Sequence, residues 1–325
     1  MKGLTPRNDH EREFMKVFDG LCYGQSRYKV WDDFVHMAAL SIVNTVDKRH
    51  FEEREKRFLA IRKPYTDKQF EGFADLFAIT AKALEENPFQ DFLGELYMRC
   101  DLGNDHTGQF FTPYHVCEMM AKIIVSGEDG PIRQRLKKDG YVSLCDPCIG
   151  GGAMMIAGAQ ALYDTGINYQ QDAVFACQDI DYTVAMMAYI QLSLIGCPGY
   201  VVVGNSLTEP MTGHVLFAED SERCFCTPLF FSEKMEFLRR MAIFKKVLYS
   251  IGGAEKPKEQ PPAATVEESS TVQQPEATVE ESSTVQRPEA KAEPPKPALE
   301  GPPVIEISKR KGKALEGQIM FDFDL

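Results

Sequence analysis

The sequence predicts an α/β fold with a helical N-terminal region and a disordered C-terminal tail. Three observations predict it. Short apolar strands alternate with helices from Tyr141 onward, which is the βαβ pattern of a parallel sheet with right-handed crossovers. Before that point, apolar side chains recur at helical spacing. After Gly253, this periodicity gives way to Pro, Glu, Ser, Thr and Lys.

Residues 1–105 are predicted to form the helical N-terminal region. Apolar positions follow the helical period in residues 34–43 and again in residues 70–78. Asn87 and Pro88 predict a further helix that runs through Tyr97, with Asn87 as its N-cap and Pro88 at its first position.

Residues 106–252 are predicted to form the sheet domain. Its first part consists of strand, helix, strand, helix and strand in the order Tyr141–Cys145, Gly152–Tyr163, Ala173–Gln178, Tyr182–Ile195 and Tyr200–Val203. Gly196 and Pro198 are the stop signals expected after the second helix. A further strand around residues 225–231 and a helix from Ser232 to Tyr249 complete the domain.

The tail divides into a linker, residues 253–316, and a terminal peptide, residues 317–325. The linker holds more than half of the 19 prolines, and residues 264–276 recur almost unchanged as residues 277–289. A duplication this short is typical of a spacer. The apolar stretch Gln318–Leu325 resembles peptides that bind bacterial sliding clamps. A peptide that folds back onto the globular part is the alternative.

Composition narrows the functional classes for these 325 residues. No apolar run is long enough for a membrane helix and no signal core follows Met1, so we expect a cytoplasmic protein. The nine cysteines indicate free thiols, and Cys145 with Cys148 lacks the second C-x-x-C of a zinc site, so no metal is predicted. The net charge of −12 argues against a surface that grips DNA without a partner.

The turn after the first strand carries three consecutive glycines, Gly150, Gly151 and Gly152. Glycines at a strand-to-helix turn let a ligand approach the backbone and the amides of the helix N-terminus. No Lys-Ser/Thr follows them, which excludes a phosphate-binding loop. The dinucleotide motif needs a glycine where Met155 stands.

Two acidic residues stand at strand ends beside this turn. Asp146 precedes Pro147, and its carboxylate can accept hydrogen bonds from an amino-acid ammonium group, which S-adenosylmethionine has and NAD lacks. The alternative is that Asp146 only caps the turn. Asp179 follows the second strand, where doubly wound folds hold ribose hydroxyls. Asp181 is expected to be the N-cap of the next helix.

Two further segments are candidates for the same cofactor. Asn205, after the third strand, has an amide that can bond the adenine amino group, although Gly204 and Asn205 also fit a simple turn. Upstream, Gln109, Phe110, Phe111, Thr112 and Pro113 combine aromatic rings with a helix start. Aromatic faces suit both a sulfonium and an adenine ring. By itself this segment is also typical of a capped helix.

Taken in order, Gly-Gln-Phe-Phe-Thr-Pro, Asp-Pro-Cys-Ile-Gly-Gly-Gly, Cys-Gln-Asp-Ile-Asp and Gly-Asn-Ser-Leu resemble the adenine-N6 DNA methylase family, including modification subunits of type I restriction systems. The resemblance covers residues 87–207 and implies a Rossmann-like sheet that binds S-adenosylmethionine. It implies that Gln109 to Pro113 and Asp146, Pro147 and Gly150 to Ala153 surround the methionine part, and that Asp179 holds the ribose. It also implies DNA and a specificity or other partner subunit as partners.

The sequence departs from this family where the methyl acceptor should be held. The family places Asn-Pro-Pro-aromatic after its fourth strand, to clamp a flipped adenine, and that motif is absent here. Asn87-Pro88-Phe89 lies upstream of the cofactor motif, and Thr227-Pro228-Leu229-Phe230 lacks the amide and the second proline. Catalytic residues are therefore not assigned. Two hypotheses remain: a divergent or partner-dependent adenine methyltransferase, and an inactive cofactor-binding module with a regulatory or docking role.

Overall fold

The computed structural model describes residues 5–102, 111–127, 130–252, 307–308 and 322–323. The chain forms two compact units, residues 1–243 with 303–325 and residues 244–302, and the candidate site lies in the first. The predicted linker, residues 253–316, and the predicted docking peptide, residues 317–325, lie almost wholly outside the described residues. The four predicted segments therefore stay a prediction.

The N-terminal region is helical, as predicted. Its five helices are α1 (Asp9–Leu21), α2 (Arg27–Val46), α3 (Phe51–Arg62), α4 (Asp67–Glu86) and α5 (Phe92–Arg99). A capping box of Thr66 and Gln69 begins α4. Large aromatic side chains of α1, α2 and α5 form a buried cluster, called here the aromatic core: Phe14, Phe18, Trp31, Phe34, Phe92 and Tyr97.

The predicted start of the helix before the cofactor motif is wrong. Asn87 ends α4, where its N–H bonds the Ala83 carbonyl, and its side chain accepts from the Phe89 N–H in a local turn. Asp91 is the N-cap of α5, because its carboxylate accepts the N–H of Gly94 at 2.9 Å. The Asn-Pro pair suited both a helix start and a turn, and the turn formed.

The α/β part follows the predicted order, with the limits of the first three strands and of the two predicted helices between them shifted by one residue at most and the end of the last helix by three. It contains α6 (Tyr114–Val125), α7 (Pro131–Asp139), β1 (Val142–Asp146), α8 (Ala153–Asp164), α9 (Tyr169–Asp172), β2 (Ala173–Asp179), α10 (Tyr182–Leu194), β3 (Gly199–Val203), β4 (Cys224–Cys226) and α11 (Glu233–Gly252). Gly196 adopts a positive φ of 74° just after α10, as expected for a helix stop. Asp181 is the N-cap of α10, as predicted.

The four strands lie in the order β1-β2-β3-β4, with β1, β2 and β3 parallel and β4 antiparallel to β3. The sheet is therefore small and mixed. The predicted fourth strand at residues 225–231 is too long, since a 3-10 helix replaces it from Pro228 to Phe231. Pro228 has no N–H to offer a strand ladder, which explains why the strand stops there. In a separate pair, β5 (Ile307–Ser308) lies antiparallel to β6 (Asp322–Phe323).

Helix α10 joins the two parts of the core. It is buried on all sides, and it contacts α2, α4 and α5 as well as β2 and β3. An all-round apolar helix is expected in such a central position. Helix α10 also contacts α8, so it connects the N-terminal helices to the helix that follows the glycine turn.

Candidate functional site

The predicted polar residues meet at the carboxyl ends of the parallel strands. Asp146 is the last residue of β1 and pairs with Cys177 of β2, while Asp179 ends β2 and pairs with Val203 of β3. Asn205 follows β3 directly. Carboxyl ends of parallel strands share one edge of a sheet, and ligands of open α/β sheets bind there.

The glycine turn adopts a backbone that side chains rarely allow. Gly150 has φ of 59° and Gly152 has φ of 105°, and Gly152 is the N-cap of α8. A Cβ atom on Gly152 would lie 3.3 Å from the Ala188 Cα of α10. Position 152 therefore requires glycine for two reasons: the positive φ and the close approach of α10.

Asp179 connects the end of β2 to the glycine turn. Its Oδ2 atom accepts the Gly150 N–H at 2.9 Å, and its Oδ1 atom accepts the Asp181 N–H at 3.0 Å. Burial raises the pKa of Asp179, and these two backbone donors lower it. Each carboxylate oxygen keeps a second lone pair for another donor, such as a hydroxyl.

Asp146 is half-buried beside the same turn. Its Oδ1 atom accepts the Cys148 N–H at 2.9 Å, the bond that a turn-capping role requires. Burial raises the pKa of Asp146, the Cys148 N–H opposes this, and the negative charge of Asp179 adds to the rise. A carboxylate whose ionisation is opposed by burial and by a second negative charge is stabilised by a cationic ligand beside it. Pro147 and Cys148 are exposed, whereas Ala153, the first residue of α8, is buried.

The upstream aromatic segment reaches this turn through Phe111. The Phe111 ring stacks on Tyr97 of α5, with ring centres 5.7 Å apart and planes at 16°. Its Cδ1 atom would lie 3.5 Å from a Cβ atom on Gly150. Thr112 is exposed and Pro113 is the N-cap residue of α6, while Gln109 and Phe110 lie outside the described residues.

Asn205 makes a local turn. Its Oδ1 atom accepts the Leu207 N–H at 2.9 Å, and its carbonyl accepts the Glu209 N–H at 2.7 Å. The next residue, Ser206, has its Oγ atom 3.8 Å from the Cys148 Sγ atom, so the loop after β3 meets the turn after β1. This geometry is the simple turn considered above, and the Asn205 amide remains close to the strand ends.

Two residues that sequence reasoning missed hold the glycine turn from behind. Gln191 of α10 donates from Nε2 to the Gly151 carbonyl and to Asp91 Oδ1, both at 2.8 Å, and accepts the Leu93 N–H at 3.0 Å. Asp91 and Gln191 are both buried. The signal was present, because a glutamine within an otherwise apolar helix needs buried partners.

The nearest substitute for an acceptor motif is structural. Thr227 is buried in the sheet, where its Oγ1 atom accepts the Gly199 N–H at 2.9 Å and donates to the Cys197 carbonyl at 2.7 Å. The Asn87 side chain is likewise used in its own turn. Thr227 has no amide, and the oxygen of the Asn87 amide already accepts the Phe89 N–H.

Other parts of the described structure add no second chemical centre. No group of three or more His, Cys, Asp or Glu side chains within the described residues is arranged to hold a metal ion. Hollows of about 480 and 450 Å³ lie along α3 and α6, away from the glycine turn. Over the same residues, every helix falls short of the length and apolar character that a membrane crossing requires.

The order of these motifs agrees with a known family. Residues 92–230 match the family model of the N-6 DNA methylases. The resemblance read from the sequence is thereby confirmed, and the matched range includes every residue predicted to bind the cofactor. In the matched region, the strand ends, the glycine turn and Phe111 come together as described above.

Comparison with whole proteins adds little beyond this. No protein with curated annotation matches the chain. Among solved structures, the chain is similar to the methyltransferase subunit of a type I restriction-modification system from Streptococcus thermophilus, with 15% identity and a TM-score of 0.32. That similarity covers 62% of this chain and 59% of the other, so the chain spans less than two thirds of that subunit.

Proposed function

We propose that this protein binds S-adenosylmethionine at the carboxyl ends of β1, β2 and β3, and that it provides the cofactor-binding half of a DNA adenine-N6 methyltransferase. The observation that carries the proposal is the bond between the Gly150 N–H and Asp179, beside Asp146. It joins two predicted ligand residues at one sheet edge. The match of residues 92–230 to N-6 DNA methylases supports the choice of cofactor.

The residues present fit the chemistry of this cofactor. Asp146 offers a half-buried carboxylate to the ammonium group, and the turn from Gly150 to Ala153 leads the α8 amides toward the methionine carboxylate. Asp179 keeps lone pairs for ribose hydroxyls, and Asn205 is placed for adenine. Phe111 to Pro113 close the methionine side, and Gln109 and Phe110 are proposed from the sequence alone to contribute to it. When bound, S-adenosylmethionine supplies the methyl group, and these side chains hold and orient it in a Rossmann-like arrangement.

The remaining partners belong to the same proposal. The net charge of −12 disfavours tight DNA binding by the protein alone, so a specificity or other partner subunit is expected to bring the DNA. Docking of Gln318–Leu325 on a sliding clamp stays a sequence-based proposal. Deletion of those residues should abolish capture of a purified clamp, and unchanged capture would discard the idea.

Calorimetry with S-adenosylmethionine tests the cofactor site. We expect binding by the intact protein, weakened at least tenfold by Asp146→Asn and by Asp179→Asn, because hydrogen bonds to charged groups contribute about 1.5–3 kcal/mol. Asp67→Asn is the matched control, since the Asp67 side chain is 95% exposed and lies at the start of α4, at the opposite end of that helix from the segment leading to Asp91. No binding by the intact protein, or equal binding by all variants, would refute the assignment.

The absent Asn-Pro-Pro-aromatic motif supports a second candidate, an inactive cofactor-binding module. Transfer of tritiated methyl groups to unmethylated DNA, with and without candidate partner subunits, separates the two. Label in adenine supports the enzyme. Binding of S-adenosylmethionine with no transfer under any combination supports the module.

A further inference from the structure

The β1 side of the sheet is an open edge. Within the described residues, β1 pairs with β2 alone, and its other backbone edge faces no strand. Strands β2 and β3 are buried along nearly their whole length, whereas most of β1 is partly exposed and Cys145 is exposed. Parallel strands are normally covered on both faces, and an open edge invites another strand.

Helix α6 presents an apolar surface that the other described residues do not cover. Its inner side, Cys117, Ala121 and Val125, is buried, and the helix packs along α8. Four large apolar side chains, called here the α6 stripe, are exposed by 57%, 41%, 67% and 61%: Met119, Met120, Ile123 and Ile124. The polar residues His115, Glu118 and Lys122 occupy a separate sector. A contiguous exposed stripe of this kind marks an interaction surface.

The open edge and the α6 stripe belong to the same side of the molecule. Helix α10 follows β2 and packs on β3, helix α8 packs on β1, and α6 packs on α8. The helical layer therefore extends one helix further than the strands, on the side where β1 has no neighbour. A strand added to β1 would lie next to the helix that carries the stripe.

Charge near this edge indicates what such a strand carries. Helix α7 contacts β1 and holds Arg133, Arg135, Lys137 and Lys138 against a single acid, Asp139. This is a basic patch in a protein of net charge −12. Interfaces place opposite charges together, so acidic side chains flank the strand that fits here.

We propose that the open edge of β1 and the α6 stripe receive a strand of a partner polypeptide, with apolar side chains toward α6 and acidic residues near α7. The inference rests on the proposed function and names its partner. A loop at the end of that strand would lie beside Asp146.

Site-specific photo-cross-linking in the cells that naturally produce the protein tests this. A benzophenone amino acid replaces Ile123 in the α6 stripe or, as control, Leu59 on α3, which is 50% exposed. We expect an adduct from position 123, and none from position 59, with a segment of a different polypeptide in which apolar side chains alternate and acidic residues flank the strand. A second variant, Met119→Glu, should lower the yield at position 123 at least tenfold, while Leu59→Glu should not.

Every other result overturns the docking proposal. Adducts with the chain's own residues 317–325, with a second copy or with DNA identify a different occupant. Equal adducts from positions 59 and 123, or none from either, show that the stripe receives no partner. Calorimetry with S-adenosylmethionine on the same protein keeps the proposals separate, since cofactor binding without the adduct refutes only the docking. The adduct without cofactor binding refutes the proposed function.

Discussion

The aromatic core and the glycine turn are held together by different kinds of interaction. In the aromatic core, Trp31 lies within 6 Å of the ring centres of Phe14, Phe18 and Tyr97, and its stability comes from buried apolar area. At the turn, carboxylates and one amide bond backbone groups in fixed directions. The two regions touch where Tyr97 stacks on Phe111.

The difference separates what folds the protein from what shapes its site. Apolar packing has no direction, so the aromatic core is sensitive to lost volume. The turn is sensitive to geometry and to protonation instead. Changes in the first region should therefore cost stability, whereas changes in the second should alter the site at smaller cost.

The largest effect is expected from Trp31→Ala. This change removes a fully buried indole and leaves a cavity, which typically costs about 3–5 kcal/mol. Urea unfolding at pH 7 measures it. Tyr23→Ala is the control, because Tyr23 is 92% exposed and should change the free energy of unfolding by less than about 0.5 kcal/mol. Similar decreases in the free energy of unfolding for both variants would contradict the claim that packing of the aromatic core stabilises the fold.

Acid is expected to lower the free energy of unfolding through protonation of His36, which lies in α2. Burial, together with the positive charge of Arg57, lowers the pKa of His36 from 6.5 to about 4. The unfolded chain binds this proton at higher pH than the folded protein does. The stability is thus present above pH 6.5 and is lost as pH falls toward 4, by up to about 3 kcal/mol. In urea unfolding, the free energy of unfolding of His36→Gln should fall by that much less than that of the parent between pH 6.5 and pH 4. The same pH dependence of this free energy in both proteins would refute the claim.

The sequence predicted the α/β elements well because their signals are local. Strand ends, the glycine turn and the Asp181 cap depend on neighbouring residues, and their limits moved by only one or two positions. The direction of β4 and the length of the fourth strand were not predictable from local pattern, because pairing with β3 depends on how the chain returns after residue 205. Pro228 was the one local sign that the strand would stop.

The positions of the candidate site residues in the fold were predictable from the sequence, whereas the contacts that support them were not. Asp146 and Asp179 are recognisable because each ends a strand, and the glycines because they lie in the turn between a strand and a helix. Gln191 and Asp91 lie 100 positions apart, and only the packing of α10 against α5 shows that they bond. No pattern in one sequence encodes such a contact.

Gly152→Ala separates backbone strain from crowding at the turn. Left-handed φ costs alanine about 1 kcal/mol, and the 3.3 Å approach of Ala188 Cα adds to it, for a loss of about 1–3 kcal/mol. Gly213→Ala is the matched control, with φ of 101° and no atom within 4 Å of the new Cβ. The unfolding temperature and the affinity for S-adenosylmethionine should both fall further in Gly152→Ala than in Gly213→Ala. Equal effects would mean that the approach of α10 does not shape the turn.

The smallest expected effect is that of Asp91→Asn, and its sign is informative. Burial raises the pKa of Asp91, and the Gln191 and Gly94 donors only partly offset this. Its contribution to stability is thus fully present below about pH 3.9, the unfolded value, and is lost as pH rises through the folded pKa. Asparagine keeps an acceptor oxygen for both donors and is as good an N-cap. At pH 7 the variant should therefore equal or exceed the parent by up to about 1 kcal/mol, and the gain should vanish near pH 4.

Gly94→Ala provides the opposing control for that measurement. A Cβ atom at position 94 would clash with Asp91 Oδ2, so the Asp91 carboxylate must move. This movement disturbs Gln191, whose Nε2 atom donates to both Asp91 and the Gly151 carbonyl. This variant should lose stability at pH 7 and at pH 4 alike, because the fault is steric. If Asp91→Asn instead lost stability at pH 7 as Gly94→Ala does, the negative charge of Asp91 would itself stabilise the glycine turn. The turn would then differ from the aromatic core in its dependence on charge as well as on hydrogen-bond geometry.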